Sequence, residues 1–425
     1  MRGLTGSLAT TAFMQAVTLV SGILAARLLL PEGRGELALI LLWTGLVCSI
    51  FLFGLNDALT FRASQKDEAM PRLAATGFWL LLLHAATGIV AGAIAFPLLL
   101  GGRAELAVPA LAVVPVYYLG LGAAMLLAGR RAVTAWNLLR AAPNLAYVAG
   151  VVTVAALGIA RVESFVAAWI LANLFGAVFG WWLLARRGWA GLRPDAGTAR
   201  ALWRYGATVQ PGTLLTLATL HVDQIVLAQM SRPAELGIYV AGGALANALS
   251  VVGHTVIQFA QPRIAGAATP AEKAAVLGRY LRGLALLLLP AVVGLVLLAP
   301  LLVRLLFGEA FAASAEVTRA LAVAAACATL KMLLHAGFKG FDRGLATGGV
   351  EIACLAVAVP LLAWLVPAHG ALGAAAAMAV AQVAALLAAL WQARRIGIDL
   401  GELLRPRLSE LAALRALIRP PGQHQ

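Results

Sequence analysis

The chain has 425 residues, of which 62% are hydrophobic and only 12% are charged, and its formal net charge is +14. A soluble globular chain is nearer to about half apolar and about a quarter charged, so the composition excludes a protein folded in water. It indicates an integral membrane protein, in which positive charges report orientation, and no nucleic-acid partner is expected.

The hydrophobic residues fall into runs of the length that a transmembrane helix needs. A hydrocarbon core of ~30 Å is crossed by about 20 residues in helical conformation. Because lipid offers no hydrogen-bond partner to open backbone groups, each run is expected to be an α-helix. The sequence predicts twelve spans, at 8–30, 36–56, 73–100, 106–128, 138–160, 163–185, 206–230, 236–260, 281–307, 315–338, 345–366 and 370–393.

Positive charges alternate between dense and sparse connections along the chain. Of the 32 lysines and arginines, 24 fall in one set of connections, which includes both ends of the chain. Such residues accumulate on the cytoplasmic side of bacterial inner-membrane proteins, so both termini are predicted to be cytoplasmic. The first run is too long for the apolar region of a signal peptide and is predicted to remain as a helix. The sparse set comprises Arg27, Arg34, Arg103, Arg161, Arg232, Arg304 and Arg319.

The longest connection on the predicted cytoplasmic side lies at the middle of the chain and contains three glycines and a proline. It predicts a linker between two halves of six spans each. The predicted domains are an N-terminal six-helix bundle at 1–187, a linker at 188–205, a C-terminal six-helix bundle at 206–393 and a cytoplasmic tail at 394–425. In the tail, leucines recur on one side, a pattern typical of a basic amphipathic segment on an anionic membrane surface; the alternative is a tail without a role.

A short motif recurs after the first span of each predicted half. The segment ARLLLPEGRGEL follows the first span and AQMSRPAELGIY follows the seventh, so that Pro31 and Gly35 match Pro233 and Gly237. Proline can start a helix, because its missing N–H would be unpaired there, and glycine permits close packing or unusual backbone angles. These structural turns indicate a duplicated six-helix unit whose copies share one orientation, a build typical of secondary transporters.

Three segments carry a resemblance to a known family: ARLLLPEGRGELALI, VDQIVLAQMSRPAELGIYVAGGAL and the proline of FAQPRIAG. They resemble the polysaccharide flippases (Wzx-type, for O-antigen and exopolysaccharide) of the MATE-like MOP transporter superfamily. The resemblance implies a V-shaped pair of six-helix bundles around a central cavity. It also implies export of a polyprenyl-diphosphate-linked oligosaccharide to the periplasmic leaflet. Leu30 stands where many relatives have glycine, so the turn departs from the family's pattern there.

Ionisable and polar side chains inside the predicted spans are the candidates for the transport site, since such groups are costly in lipid. Lys331 and His335 lie one turn apart on one helix face and are expected, with Arg140 and His254, to attract a diphosphate or sugar hydroxyls. Asp223 is also the candidate for binding a coupling H+ or Na+ ion. The predicted substrate cavity comprises Arg140, His221, Asp223, His254, Gln258, Lys331 and His335.

The sequence is also compatible with structural roles for these residues. Asp223 can make fixed hydrogen bonds or a salt bridge between helices, and Arg140 lies close enough to the inner surface to be an orientation charge. The three cysteines lie in separate apolar segments without metal-ligand spacing, so no metal site and no cofactor are expected.

The function expected from the resemblance is that of an alternating-access flippase in the bacterial cytoplasmic (inner) membrane, acting in polysaccharide biosynthesis. Its expected partners are the lipid-linked oligosaccharide, membrane lipids, a coupling H+ or Na+ ion and glycan-assembly proteins. A cation-coupled drug or metabolite antiporter of the same superfamily is the alternative, although basic residues outnumber carboxylates within the spans and favour an anionic or sugar cargo. A membrane-bound glycan polymerase or ligase is less favoured, because the predicted outer loops are short and no catalytic motif is found, so no enzyme is expected.

Overall fold

The computed structural model describes residues 2–67, 69–100 and 104–404. Within these ranges every regular element is helical and none is a β-strand. The prediction of an all-α polytopic protein is therefore confirmed for this part of the chain. Most of the predicted amphipathic tail falls outside the described residues, which end with the short helix Leu400–Leu404.

The helices follow one another with short connections. Within the described ranges, ten helical segments are long and apolar enough to cross a membrane, one of them being Ala107–Gly129, and the chain is a multi-pass membrane protein. A single 3-10 turn, Glu309–Phe311, separates the tenth helix from the eleventh. In chain order the helices are α1 (Arg2–Phe51), α2 (Leu55–Ser64), α3 (Met70–Leu100), α4 (Ala104–Ala110), α5 (Val113–Gly129), α6 (Val133–Ala156), α7 (Val162–Ala185), α8 (Ala196–Met230), α9 (Pro233–Gly266), α10 (Pro270–Phe307), α11 (Ser314–Gly340), α12 (Ala346–Arg395) and α13 (Leu400–Leu404).

Two of the long helices are interrupted by one residue with non-helical backbone angles. In α1 this residue is Leu30, with φ 57° and ψ 177°, and in α12 it is Gly370, with φ 52° and ψ −129°. Both residues lie at boundaries that the hydrophobic pattern predicts between two spans. The count of twelve spans itself stays a prediction.

Leu30 is held in a backbone region that glycine adopts easily and other residues rarely do. Leu30→Gly removes a backbone strain of about 1–3 kcal/mol, and the chain entropy that glycine adds to the unfolded state offsets part of this gain. The protein is therefore expected to be more stable by about 1 kcal/mol. Little packing is lost, since the Leu30 side chain is 58% exposed. Unfolding of the purified protein in detergent measures the change.

The matched control is Leu29→Gly, the same substitution at the preceding residue, where the backbone is helical. There glycine is expected to destabilise the protein by about 1 kcal/mol through its poor helix propensity. A Leu30→Gly protein less stable than the original would show that Leu30 is not strained.

Two predicted spans are broken in the structure. The run 36–56 is broken where Gly54, with φ 66°, separates α1 from α2, and glycine adopts this left-handed angle at little cost. The run 106–128 contains a turn between α4 and α5, although Ala107–Gly129 as a whole is long and apolar enough to cross a membrane. Pro115, near the start of α5, has no N–H to continue the hydrogen bonds of a helix from α4.

The helix α8 begins earlier than its hydrophobic run. Residues 196–205, which were expected in the linker, form its first turns. Asp195 caps this end, since its carboxylate accepts a hydrogen bond from the Thr198 backbone N–H at 2.7 Å. That bond lowers the pKa of Asp195 from its usual value. The cap explains why the helix starts before the apolar residues do.

The chain divides into two compact units. Unit 1 comprises Met1–Ala241 and Val303–Ser314, and unit 2 comprises Gly242–Leu302 and Ala315–Gln425. The two predicted six-helix bundles follow the sequence repeat and stay a prediction.

Small residues let the helices pack closely within each unit. In unit 1, a Cβ on Gly180 of α7 would lie 2.8 Å from the Cβ of Ala123 on α5. In unit 2, Gly253 of α9 leaves room for the side chain of Thr329 on α11. Helices in lipid associate through such contacts, since no hydrophobic force drives them together there.

The two repeated turns contact each other within unit 1. A Cβ on Gly35 would overlap the carbonyl oxygen of Pro233, and a Cβ on Gly237 would overlap that of Pro31. Neither glycine has a positive φ. Glycine therefore serves the close approach of two backbones at this point, and the contact is reciprocal, as expected of two copies of one motif.

Candidate functional site

Unit 1 contains a cavity of about 390 Å³ lined by residues of α1, α5, α7, α8 and α9. One face of α1 forms much of its wall, because the lining residues of this helix recur at spacings of three and four. Its wall is mainly apolar with a few polar groups, as is usual for binding sites of small molecules. The polar and aromatic side chains that line it are Arg34, Ser49, Tyr117, Trp169, His221 and Gln224.

Hydrogen bonds from two neighbouring helices hold the C-terminal turns of α1 in place beside the cavity. The Tyr118 hydroxyl of α5 donates to the carbonyl oxygen of Cys48 at 2.8 Å. The Gln210 side chain of α8 donates to the carbonyl oxygen of Ile50 at 2.9 Å. Buried polar groups of this kind position helices because leaving either partner unpaired is costly.

Arg34 brings a fixed positive charge to the cavity. It is half-buried, and among the described residues no carboxylate forms an ion pair with it. Its ionisable neighbour is Tyr147 of α6, and a phenol is uncharged at neutral pH. A partly buried cation without a counter-ion is costly, so an anion is the natural complement of this site.

The other polar groups of the cavity come from α8 and from two aromatic side chains. The Nδ1 atom of His221 is buried and has no hydrogen-bond partner among the described residues. Gln224 lies almost one turn further along the same helix. Tyr117 and Trp169 offer apolar ring faces with polar edges, a combination that suits a ligand with both kinds of surface. Together with Arg34, these groups can hold an anionic, partly apolar molecule.

Asp223 lies between His221 and Gln224 in the sequence but does not line this cavity. Its carboxylate is buried and accepts a hydrogen bond from the hydroxyl of Tyr239 on α9. Its other oxygen accepts from the Gln224 backbone N–H at 2.8 Å. The geometry fits a hydrogen bond between α8 and α9, one of the two interpretations that the sequence leaves open.

Lys331 and His335 share a partner in unit 2. The Lys331 ammonium lies 2.9 Å and 3.0 Å from the two carboxylate oxygens of Glu351 on α12. Nδ1 of His335 lies 3.7 Å from the same carboxylate. The Nε2 atom of His335 is buried without a hydrogen-bond partner among the described residues. The two residues do face one way, as the sequence predicts, and they face a carboxylate.

The remaining predicted site residues lie elsewhere. The Arg140 guanidinium stacks over the ring of Trp136 on its own helix, 4.6 Å from the centroid. His254 and Gln258 are exposed on α9, and Nδ1 of His254 lies 2.8 Å from the carbonyl oxygen of Ser250. Their place in a substrate cavity stays a prediction.

Two residues of these clusters were not among the sequence-based candidates. The charge pattern assigns Arg34 to the orientation of the chain, because it follows Pro31 closely in a predicted turn. Small and apolar residues follow Arg34 on α1 at spacings of three and four. This spacing is the signal in the sequence that they share one helix face with it. Glu351 is an acid inside the predicted span 345–366, so the cost of ionisable groups in lipid was a sufficient reason to select it.

Comparison with solved structures identifies proteins of the same fold. The lipid II flippase MurJ, in an inward closed conformation, has a TM-score of 0.76 at 10% identity, covering 97% of this chain and 93% of that chain. An inward-facing multidrug resistance MATE family transporter of the MOP superfamily has a TM-score of 0.68 at 16% identity, covering 90% and 94%. A MOP superfamily transporter from Pyrococcus furiosus has a TM-score of 0.56 at 15% identity, covering 92% and 94%. At these identities the likeness concerns the fold alone.

The sequence itself gives the family. No curated protein sequence matches the chain. The profile of the family described as polysaccharide biosynthesis protein, however, matches residues 23–316, from within α1 to the start of α11. With the MATE-like fold, this match confirms the resemblance found in the sequence, and the chain belongs to the polysaccharide biosynthesis protein family.

Proposed function

We propose that the protein is a flippase that moves a polyprenyl-diphosphate-linked oligosaccharide from the cytoplasmic to the periplasmic leaflet of the bacterial inner membrane. It acts by alternating access and forms no covalent intermediate. Family membership supports a role in polysaccharide biosynthesis. The fold, which is that of a lipid flippase and of multidrug transporters, supports a transport step in that process.

The observation that carries the proposal is the unpaired charge of Arg34 in the unit 1 cavity. A diphosphate is the anionic part of the proposed cargo, and a guanidinium binds phosphate oxygens through two parallel N–H groups. His221 adds a buried nitrogen that can donate to or accept from the same group. Arg34 and His221 therefore bind the diphosphate in this proposal.

The aromatic side chains and the size of the cavity suit the sugar next to the diphosphate. Tyr117 and Trp169 present flat apolar faces, against which the C–H face of a sugar ring can pack while its hydroxyls reach polar groups such as Gln224. A volume of about 390 Å³ is within the range of small-molecule sites. It holds a head group but not a long prenyl chain, which stays in the lipid.

The antiporter alternative has the likeness to multidrug MATE transporters in its favour. A cavity for organic cations needs carboxylates or aromatic faces free of positive charge. Arg34 repels such a cargo, because like charges at short range raise the free energy of binding. Drug export is therefore the second candidate.

Deletion of the gene tests the proposed function. The deletion strain is expected to lose surface glycan and to accumulate lipid-linked oligosaccharide on the cytoplasmic leaflet, because its synthesis continues while its transfer stops. Lectin binding to intact cells and to inverted membrane vesicles measures the two pools. Complementation with the wild-type gene is the control. Unchanged surface glycan, in a strain without a second flippase gene, would reject the proposal. Increased drug sensitivity with normal glycan would favour the antiporter.

A further inference from the structure

The connection between α7 and α8, residues 186–195, carries three arginines close together. Arg186, Arg187 and Arg193 are all exposed. Among the described residues, no carboxylate forms an ion pair with any of them. The single acidic side chain of the connection, Asp195, is engaged in capping α8. Positive charge on the predicted cytoplasmic side orients the chain, but orientation does not require a group of arginines without acidic partners. The group is complementary to an anion.

Two tryptophans hold two of these arginines in place. The Arg186 guanidinium lies 4.9 Å from the centroid of the Trp182 ring, and the Arg187 guanidinium lies 6.0 Å from that of Trp189. A guanidinium stacked on a ring keeps N–H groups at its edges for a ligand. Tryptophan side chains favour the level of the lipid head groups, where one end of the ring is apolar and the other is wet. The stacked arginines are therefore expected at that level.

The end of α7 is built to turn the chain at this point. Gly188 has a φ of 67°, a left-handed angle that glycine adopts at little cost. Its N–H donates to the carbonyl oxygen of Ala185 at 2.9 Å, and the N–H of Trp189 donates to that of Leu184 at 3.0 Å. This is the hydrogen-bond pattern of a helix that ends at a glycine. The turn brings Trp189 back toward the end of α7, where Arg187 stacks on it.

The rest of the connection is fixed to α3 on both sides of an exposed leucine. A Cβ on Gly191 would overlap the carbonyl oxygen of Pro71, so the two backbones are in contact there. The backbone N–H of Asp195 donates to the hydroxyl of Thr76 at 2.9 Å. Between these two attachments the Leu192 side chain is 91% exposed. Burial of a leucine side chain is favourable, so an anchored connection that presents one outward gains from an apolar partner.

A phospholipid of negative charge matches both features of this surface. Its phosphate is the anion that the arginines lack, and its acyl chains are the apolar partner that Leu192 lacks. A free phosphate ion would leave the leucine in water. An acidic protein surface would pair with the arginines but would not explain two tryptophans beside them. Basic residues combined with apolar ones are typical of segments that bind the surface of an anionic membrane.

We propose that the α7–α8 connection binds the head group of an anionic phospholipid of the cytoplasmic leaflet. Arg186 and Arg193 bind the phosphate oxygens, and Leu192 enters the apolar region next to the head group. Arg187, which also donates to the carbonyl oxygen of Leu183 at 2.9 Å, adds its charge from the end of α7. The bound phospholipid is distinct from the transported cargo, so this inference does not depend on the proposed function.

The first experiment measures lipid binding to the purified full-length protein in a zwitterionic detergent by native mass spectrometry. Dioleoylphosphatidylglycerol and dioleoylphosphatidylcholine, which have the same acyl chains and differ in net charge, are added separately. Each arginine near an anionic lipid surface contributes about fivefold to binding. Arg186→Gln/Arg193→Gln is therefore expected to bind phosphatidylglycerol about 30-fold more weakly than the wild-type protein. Binding of phosphatidylcholine is expected to stay unchanged.

A second variant with the same loss of charge is the control. Arg161→Gln/Arg232→Gln removes two exposed arginines of unit 1, one of which precedes the opposite end of α7. It is expected to bind phosphatidylglycerol as the wild-type protein does. Equal weakening in the two variants would show a general attraction between opposite charges and would overturn the proposed site. Equal binding of the two lipids by the wild-type protein would overturn it as well.

The second experiment locates Leu192 in vesicles. The three native cysteines are replaced by alanine, and an environment-sensitive fluorophore, nitrobenzoxadiazole, is attached to Leu192→Cys. In vesicles of phosphatidylglycerol its emission is expected at shorter wavelength than in vesicles of phosphatidylcholine, because the bound head group draws the connection into the interface. Adding Arg186→Gln/Arg193→Gln is expected to abolish the difference, and high salt is expected to reduce it. The same emission in both kinds of vesicle would contradict the entry of Leu192 beside a bound anionic lipid.

Discussion

Arg34→Gln is expected to lower the export of surface glycan by about 10-fold to about 100-fold at unchanged protein level. Glutamine keeps most of the length and polarity of the side chain and removes its charge. A hydrogen bond to a charged group contributes about 1.5–3 kcal/mol, and each ~1.4 kcal/mol corresponds to a factor of ten. The measurement is lectin binding per cell in the complemented deletion strain, with the amount of protein determined by immunoblot.

Two further variants show whether the charge or the shape of Arg34 matters. Arg34→Lys keeps the charge without the planar pair of N–H groups, so its export is expected to lie between that of the wild-type protein and that of Arg34→Gln. Arg304→Gln removes an arginine whose side chain is 64% exposed and paired with Glu309, and it is expected to leave export unchanged. Full export by Arg34→Gln would show that this charge does not bind the cargo.

The fold class could be predicted from the sequence because it depends on sums over many residues. Span length and composition hold whether or not any one contact forms, and the helices of the described residues agree with them. Interruptions of helices depend on single residues and were predicted only in part. The break at Leu30 lies at an expected boundary, whereas the break before α5 rests on the position of one proline, Pro115, inside an uninterrupted apolar run.

The site was predictable only in part, because partners depend on how helices are placed against each other. Helical spacing correctly puts Lys331 and His335 on one face of α11. Their common partner Glu351 belongs to the next helix, and the periodicity of one helix does not give its register against another. For the same reason Asp223 was assigned to a cavity, while its carboxylate turns to Tyr239 on α9.

Arg34 illustrates a different limit of prediction from the sequence. Charge counting assigns an arginine near a turn to the membrane surface, and that rule treats all positions of the turn alike. In the structure the helix resumes at Pro31, so Arg34 lies within its first turn and its side chain lines the cavity. The rule for orientation and the role in binding are compatible, because a cation near one surface can serve both.

Gly35→Ala and Gly237→Ala are each expected to destabilise the protein by roughly 3 kcal/mol, since overpacking of a tight contact costs about 1–3 kcal/mol and backbone atoms yield less than side chains. In each variant the new Cβ overlaps the carbonyl oxygen of a proline in the other turn. Unfolding in mixed detergent micelles measures the free energy. Gly22→Ala, in the same helix α1 but with open space around its Cβ, is expected to stabilise the protein by about 1 kcal/mol.

The double variant tests the reciprocity of this contact. Each single substitution forces the two turns apart, and a separation that admits one methyl group also makes room for the other. Gly35→Ala/Gly237→Ala is therefore expected to cost clearly less than the sum of the single variants, with a coupling of about 1–2 kcal/mol, as is usual for residues in direct contact. Additive costs would mean that each glycine is confined by its own surroundings, and that the repeated motifs do not depend on each other. A coupling in the expected range would tie the two copies of the motif into one structural element, so that neither glycine is free to change without the other.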